Sequence, residues 1–593
     1  MVAGTAAALV TAVWSIRGIR PALLFDSEPS WTAARLALML AVAGIAAAAA
    51  GVVGGALFFW SGTPSFDRAI DPLPFSRRAL VGVAAGAAFF GAAARAVSIR
   101  QIPWPLWVDD LSLIAPTRAL AGGWGDFSDP VRAAPYGVAH PFGTVGVAYL
   151  ELWRLGLEVF GTNVFGIRFP SLAAGVLSLA TAGLLARELL PRGGGAAAVV
   201  ALAGLRWSLI LSRWGWVAIA LAPVLDVATL LLLRARRRSS PALAAAAGGV
   251  AGLGAHIYLA AWIGGSALLV FAAWPAAGAA AWRRRAWLPA AFALGFVFAA
   301  APLLVARREA SVPYFARAGD HNVVMEMRRT ASPMPFFSAA ADAIASPWLA
   351  PDPTPRNDIP GRSRLGWILG IPVAAILARA LVVPREELSG WLLAHAGAAA
   401  AAAVAAGQAT NPNGFRYAYL TTVTAVAAAA GALWLLGFVA RARRRLFAVA
   451  ALGLAAAGAL AAARDTLLVW GESRETFDAF HGEDTLIGRA AARWDRYGEV
   501  AVAPDLGFDP RTHSPITIGV VRRERLEAGE GAVPEPASRR RSFRIVAPGT
   551  PGESGERRVE RVRDGWGRER AVIFGRRGTK PPSPLPPAGG EPG

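Results

Sequence analysis

Asp109 and Asp110 stand side by side in Trp107-Val108-Asp109-Asp110, just after a hydrophobic stretch and ahead of a polar loop that runs to His140-Pro141. A charge near hydrocarbon must be hydrated or paired, so two adjacent carboxylates at the mouth of an apolar helix are costly to keep. Partly desolvated there, a carboxylate holds a pKa high enough to take a proton from a hydroxyl or an amine in a transition state. That is general-base chemistry on a lipid-linked substrate at the membrane face. The competing reading of the same pair is a solvated helix end. Trp104 and Trp107 favour the first reading, because interfacial indoles fix depth, and Leu111–Leu120 then reads as a short helix ending at Ala121-Gly122-Gly123.

Other polar residues are candidate partners. Arg213 lies in Ser212-Arg213-Trp214-Gly215, and Arg416 and Tyr417 lie in Asn411-Pro412-Asn413-Gly414-Phe415-Arg416-Tyr417. Guanidinium groups stay charged and grip phosphate oxygens in pairs, as a phosphate leaving group requires. Each arginine could equally anchor a helix end at the headgroups. His140 and His256 could join Asp110 on a divalent metal, but no H-x-x-x-H spacing supports a ligand set, and satisfied interfacial histidines are the simpler reading. Asp320-His321 is ambiguous in the same way. There is no Cys, which excludes disulfides and thiolate metal sites. There is also no phosphate-cradling G-x-x-x-x-G-K, no G-x-S-x-G elbow and no nucleic-acid module. No organic cofactor is implied.

The elements that must position these residues are membrane spans. The chain has 593 residues, 55% hydrophobic and only 17% charged, with a mean hydropathy of +0.42. Apolar runs of about 17–25 residues give about thirteen helices, near 2–16, 34–60, 78–98, 168–190, 196–212, 216–233, 242–258, 260–280, 286–306, 365–383, 388–408, 417–440 and 446–463. The net charge of +20 is carried largely by arginine clusters between spans: Arg234–Arg238, Arg283–Arg285 and Arg441–Arg445. This is the positive-inside pattern of cytoplasmic loops and not a nucleic-acid footprint. With Arg77/Arg78 and Arg187/Arg192 also inside, hairpin tips fall outside at Ser212–Gly215 and near His256-Ile257-Tyr258. The stretch 143–160 must then lie along the outer interface, as its amphipathic Glu151, Arg154 and Glu158 suggest. Asp109, Asp110, His140, Arg213, His256 and Arg416 all come to one face. So do the loops 99–167, 307–364 and 410–416, and everything after 464.

The expected organisation is two extra spans over 1–77, a helical membrane domain over 78–463, an external α/β domain over 464–579 and a Pro-rich tail over 580–593. In the third of these, 464–497 reads as a helix, and 499–503, 516–521, 542–547 and 570–575 read as short strands. The fold class is thus mainly α, a polytopic helical bundle with a small C-terminal α/β domain. Residues 2–16 read as a marginal first span, since no basic stretch precedes a small-residue cleavage site.

In this order the residues resemble the GT-C type of polytopic glycosyltransferases. That group includes the protein O-mannosyltransferases, the aminoarabinose transferases acting on lipid A, and the bacterial family-39-like proteins. The shared pattern is a hydrophobic helix, an external loop opening on an acidic pair (Asp109-Asp110) and closing on His140-Pro141, then Phe160–Ser171, an external Ser212-Arg213 turn, and Arg356-Asn357-Asp358-Ile359-Pro360-Gly361-Arg362. The resemblance covers about 78–440. It implies inverting transfer of a sugar from a polyprenyl-phosphate donor to a protein or glycolipid acceptor outside the cytoplasm, at a bacterial-type inner membrane. Asp109 would then be the base, and Asp110 would orient it or help place a divalent metal where one is used. Arg213 and Arg416 would neutralise the leaving phosphate. Many relatives carry Glu where this chain has Asp110, and His-x-Pro-Pro or a Lys near His140, so the donor sugar stays open. Two rival readings remain. A transporter of lipid-linked saccharide would use Asp226 within its span, and a non-catalytic scaffold would present the C-terminal domain.

Overall fold

In a computed structural model, the chain is described over residues 70–107 (except 104), 117, 146–275 (except 162), 286–309, 322–348, 352–406 (except 353), 414–494, 499–502 and 542–576 (except 555). The expected spans at 2–16 and 34–60, the strand at 516–521 and the tail lie outside the described residues.

The helices are α1 Arg77–Ala96, α2 Val147–Phe160, α3 Val164–Leu189, α4 Gly194–Ala203, α5 Arg206–Leu211, α6 Leu221–Arg238, α7 Pro241–Ala255, α8 Ala261–Ala273, α9 Leu288–Glu309, α10 Val323–Thr330, α11 Met334–Ala345, α12 Gly366–Val382, α13 Glu387–Ala406, α14 Leu420–Gly437, α15 Arg441–Arg464, α16 Arg474–Ala479 and α17 Gly482–Trp494. Among the described residues, seven helical segments are long and apolar enough to cross a membrane, and α4, α7, α8, α11 and α12 are shorter apolar helices. Every expected span that falls within the described residues coincides with helix, but 196–212 is not one span. It breaks at Gly204-Leu205 into α4 and α5. The loop expected over 307–364 contains α10 and α11, and the helix expected over 464–497 is a π-helical turn, Asp465–Trp470, followed by α16 and α17.

Small residues let the helices approach closely. A Cβ at Gly248 or Gly252 of α7 would collide with the carbonyl oxygens of Phe292 and Phe296 on α9. Polar side chains tie three helices at mid-bundle, where Asp226 accepts from Thr181 Oγ1 at 2.6 Å and Thr422 Oγ1 at 2.8 Å.

One end of the bundle is arginine-rich. Arg237 pairs with Glu188 and lies 3.4 Å from Glu387, which gathers the ends of α3, α6 and α13. Arg236 donates to the Phe271 carbonyl at 2.6 Å. Arg444 pairs with Asp71 at 2.9 Å, and Arg192 Nη2 donates to the Phe75 carbonyl at 2.7 Å. Arg192, Arg236, Arg237 and Arg444, from segments read as cytoplasmic, thus hold helix ends together, whereas Arg283–Arg285 lie outside the described residues.

After α17 comes a four-stranded sheet: β1 Glu499–Val502, β2 Ser542–Val546, β3 Glu556–Arg563 and β4 Glu569–Arg576, in the order β1-β2-β4-β3. β1 and β2 run parallel, and the β2–β4 and β3–β4 pairs are antiparallel. Ile487, Ala490, Ala491 and Trp494 of α17 cover one face, against Phe543, Ile545 and Ile573. β3 is a strand that the sequence reading lacked.

Candidate functional site

The opposite end of the bundle carries the chain from α1 towards Asp109. Gln101-Ile102-Pro103-Trp104-Pro105 contains two prolines, which remove two N–H donors and bar a helix. The carbonyls of this stretch therefore need donors from elsewhere, and buried arginines supply them. Arg213, with no exposed surface, donates Nη1 to the carbonyls of Ala94 (2.8 Å) and Arg95 (3.0 Å), and Nη2 to that of Val97 (2.6 Å). These are carbonyls at the end of α1, where a cation also complements the helix dipole. Arg168 of α3 continues the series, donating to the carbonyls of Ile99 (2.6 Å), Pro103 (2.7 Å) and Pro105 (2.8 Å). Arg95 ties α1 to the α5 hairpin through Ser208 Oγ at 2.8 Å and Ser212 Oγ at 3.3 Å.

The stretch then enters an aromatic cage. Trp107 meets Trp214 and Trp216 edge to face, with ring centroids 5.2 and 5.0 Å away. Trp216 in turn meets Tyr149 at 5.4 Å and Tyr258 at 6.2 Å, and Phe480 meets Trp214 at 5.5 Å. The Arg356 guanidinium lies 4.3 Å from the centre of the Trp107 ring, a cation–π contact. The Leu106 N–H donates to Thr485 Oγ1 of α17 at 3.1 Å.

Beside the cage, the loop after α11 is bound by buried carboxylates. Asp352 accepts from Thr354 N (2.9 Å), Asn357 Nδ2 (3.1 Å), Arg364 Nη2 (3.2 Å) and Gly414 N (2.5 Å). Its approach to Gly414 is close enough that a Cβ there would sit 2.9 Å from the carboxylate oxygen. Asp358 accepts from Arg206 Nε at 2.8 Å; burial holds this carboxyl above its ordinary range despite the pull of Arg206. Asp465, at the start of the π-helical turn, pairs with Arg362. Asp352 thus fastens this loop to the 3-10 turn Gly414–Tyr417, which packs against the turn Val217–Ala220 directly after Trp216. Arg416 is half-buried at that edge. Burial pushes the Tyr417 phenol up to about 12, against the opposing pull of Arg416 and Arg364, so it stays a neutral donor.

Asp109, Asp110 and His140 lie outside the described residues, as does Asp320-His321. Arg213 lies where α1 ends, and three backbone carbonyls take its guanidinium, so its contacts describe positioning and not phosphate binding. His256 is buried with Nε2 2.9 Å from the Ala299 carbonyl, and its own carbonyl accepts from Tyr149 N at 3.2 Å; it joins α2, α7 and α9. Arg416 and Tyr417 end the 3-10 turn that packs against Val217–Ala220. Asp226 is buried mid-bundle with both carboxylate oxygens bonded to threonine hydroxyls. The sequence reading gave no role to Asp352, Arg364, Phe480 or Thr485. Its one available signal was the density of Asp and Arg between 352 and 364. Among the described residues, no group of three or more His, Asp or Glu is placed to hold a metal ion.

No protein-family model matches the chain, and no curated protein matches it. Among solved structures it is similar to ArnT from Cupriavidus metallidurans bound to undecaprenyl phosphate, with a TM-score of 0.47 and 14% identity over 85% of this chain and 98% of that one. It is similar to the same protein in the apo state with a TM-score of 0.46 and 15% identity, over 84% and 97% of the two chains. At that level of similarity, function has to be argued from the residues of this chain.

Proposed function

We propose that the chain is an integral membrane glycosyltransferase that moves a sugar from a polyprenyl-phosphate donor to a protein or glycolipid acceptor on the external face. The observation that carries this reading is the anchoring of the chain up to Trp107. Arg213, Arg168, Arg356 and an aromatic cage are committed to holding a stretch of irregular backbone. Along the chain, Asp109 is two residues further on, no more than about 7 Å by covalent reach. Protein groups committed to an irregular segment are expected where a side chain must be kept in place for chemistry.

In this reading Asp109 takes the proton from the acceptor hydroxyl or amine as that atom bonds to the anomeric carbon. The bond from that carbon to the phosphate oxygen breaks on the opposite side, with inversion, and the polyprenyl phosphate leaves with the electron pair. Asp110 orients the base. Arg416 and the Tyr417 hydroxyl face the developing phosphate charge, the electrostatic part of such catalysis. Arg213 and His256 act through the backbone they hold, and His140 remains on the substrate side by its place in the loop. The described residues supply no ligand set for a divalent metal, and no step is routed through one. The arginine-rich end faces the cytoplasm of a bacterial-type inner membrane, and the cage and the C-terminal unit face outward. The working parts are a membrane domain over 78–463 and an external domain over 464–579, with 1–77 as added spans and 580–593 as a tail.

The transport reading needs ionisable groups lining a path. Asp226 instead bonds two threonines and joins three helices, so it gives that reading little support. The test is release of label from a polyprenyl-phosphate sugar by purified protein, wild type beside Asp109→Asn, with native membrane extract as acceptor. Turnover by the wild type alone supports transfer with Asp109 as base. Equal turnover by both removes Asp109 from the mechanism.

A further inference from the structure

The anchors on the approach to Asp109 come from three parts of the chain that are far apart in sequence. Arg213 and Arg168 belong to the bundle and Arg356 to the loop after α11. The last is different. Leu106 N–H donates to Thr485 Oγ1, and Thr485 lies in the first turn of α17, the helix that covers the C-terminal sheet. Both residues are buried, at 1% exposure for Thr485 and 2% for Leu106, so water is poorly placed to replace that bond. The same segment inserts Phe480 between Trp214 and Trp470, at 5.5 and 6.0 Å, beneath the cage that holds Trp107. Trp470 in turn donates Nε1 to the Pro355 carbonyl at 2.7 Å, next to the Arg356 that stacks on Trp107. One direct contact, Thr485 to Leu106, therefore runs from the C-terminal unit into the residues just ahead of the acidic pair, and a second, from Phe480, reaches Trp107 through Trp214.

We propose that Thr485 is a positioning residue of this site, and that the C-terminal unit sets the point from which the acidic segment departs. The inference rests on the glycosyl-transfer reading above for its consequence, though not for the contact itself. Thr485 needs no contact with substrate. Its hydroxyl fixes one backbone N–H that would otherwise be buried and unpaired, and that orphaned donor carries the full desolvation cost. Valine has the shape of threonine without the acceptor, whereas serine keeps the acceptor.

The experiment compares Thr485→Val and Thr485→Ser with the wild-type full chain in detergent, by two readouts. Amide exchange in peptides spanning Ile99–Trp107 reads the contact without any assumption about activity. Turnover of labelled polyprenyl-phosphate sugar reads its consequence. Thr485→Val is expected to speed exchange in that segment by about tenfold or more and to lower kcat by a similar factor, with donor KM within about twofold. Thr485→Ser is expected to stay near wild type in both. Unchanged exchange in the valine variant overturns the contact. Faster exchange with unchanged kcat overturns the positioning role. A wild type without turnover, while exchange responds as expected, overturns the glycosyl-transfer reading and with it the positioning role; the exchange arm tells this case from a missing contact.

Discussion

Arg168→Met removes three charged donors at once while keeping most of the side-chain volume. The carbonyls of Ile99, Pro103 and Pro105 lose bonds of 2.6, 2.7 and 2.8 Å. Hydrogen bonds to a charged group are worth roughly 1.5–3 kcal/mol each, and an orphaned buried acceptor costs roughly 1–3 kcal/mol. The three losses are not additive, because the segment can relax towards water at the end of the bundle. About 3–5 kcal/mol is the reasonable total for breaking one buried network. The loss is local: α3 keeps its packing on α1 and α4, while the segment before Trp107 loses its fastening. At about 1.4 kcal/mol per factor of ten, the closed-to-open ratio of that segment should drop at least a hundredfold. Amide exchange over Ile99–Trp107 should rise accordingly, and turnover of a labelled polyprenyl-phosphate sugar should fall by about tenfold or more. Lys in place of Arg168 presents a compact ammonium and not a planar fork, so it cannot serve all three carbonyls in the same geometry and should fall between. Wild-type exchange and wild-type turnover in Arg168→Met would refute the view that these arginines hold the site.

Two further predictions follow from buried acids. Burial, with Glu483 adding to it, pushes the Asp484 carboxyl up to about 7 at the start of α17. A raised carboxyl favours folding while protonated, so its contribution is complete below about pH 4 and is lost as pH rises through about 7; about 2–4 kcal/mol is at stake. The thermal midpoint of the wild type should therefore decline between pH 5 and pH 8 more than that of Asp484→Asn, and parallel curves would contradict this. Asp226→Asn keeps an acceptor for one threonine and offers a donor to the other. It should cost about 1 kcal/mol of stability and leave turnover within about twofold, whereas a collapse of activity with an intact thermal midpoint would give Asp226 a functional role.

Helix positions were legible because apolar length alone sets them, and the departures have local causes. The run 196–212 looks like one span, yet it breaks after Ala203 so that Arg206 can reach Asp358 and the Ser363 carbonyl, at 2.8 Å each. That demand comes from a loop some 150 residues away in the chain and leaves no periodic trace. The strand β3 was missed for the opposite reason. Glu556-Arg557-Arg558-Val559-Glu560-Arg561-Val562-Arg563 has hardly any apolar alternation because it is an edge strand, where charged side chains guard the open side. β1, β2 and β4 carry the Val, Ile and Phe residues that face α17, and they were found.

For Arg213 the sequence showed a residue type suited to phosphate and not the aim of its side chain. An arginine in a turn between apolar segments suits a phosphate, and nothing in Ser212-Arg213-Trp214-Gly215 tells that its guanidinium turns inward to the end of α1. For Arg213 the missing information is the set of carbonyls left open where α1 ends, more than a hundred residues earlier, and for Arg168 it is the set around the two prolines that follow. Pro103 and Pro105 remove two N–H donors from the approach to Asp109, and the carbonyls of Ile99, Pro103 and Pro105 take their donor from Arg168 on another element. A proline-punctured stretch just ahead of an acidic pair is thus itself a signal. It predicts buried arginines elsewhere in the chain whose work is structural, and it separates them from Arg416, which is half-buried.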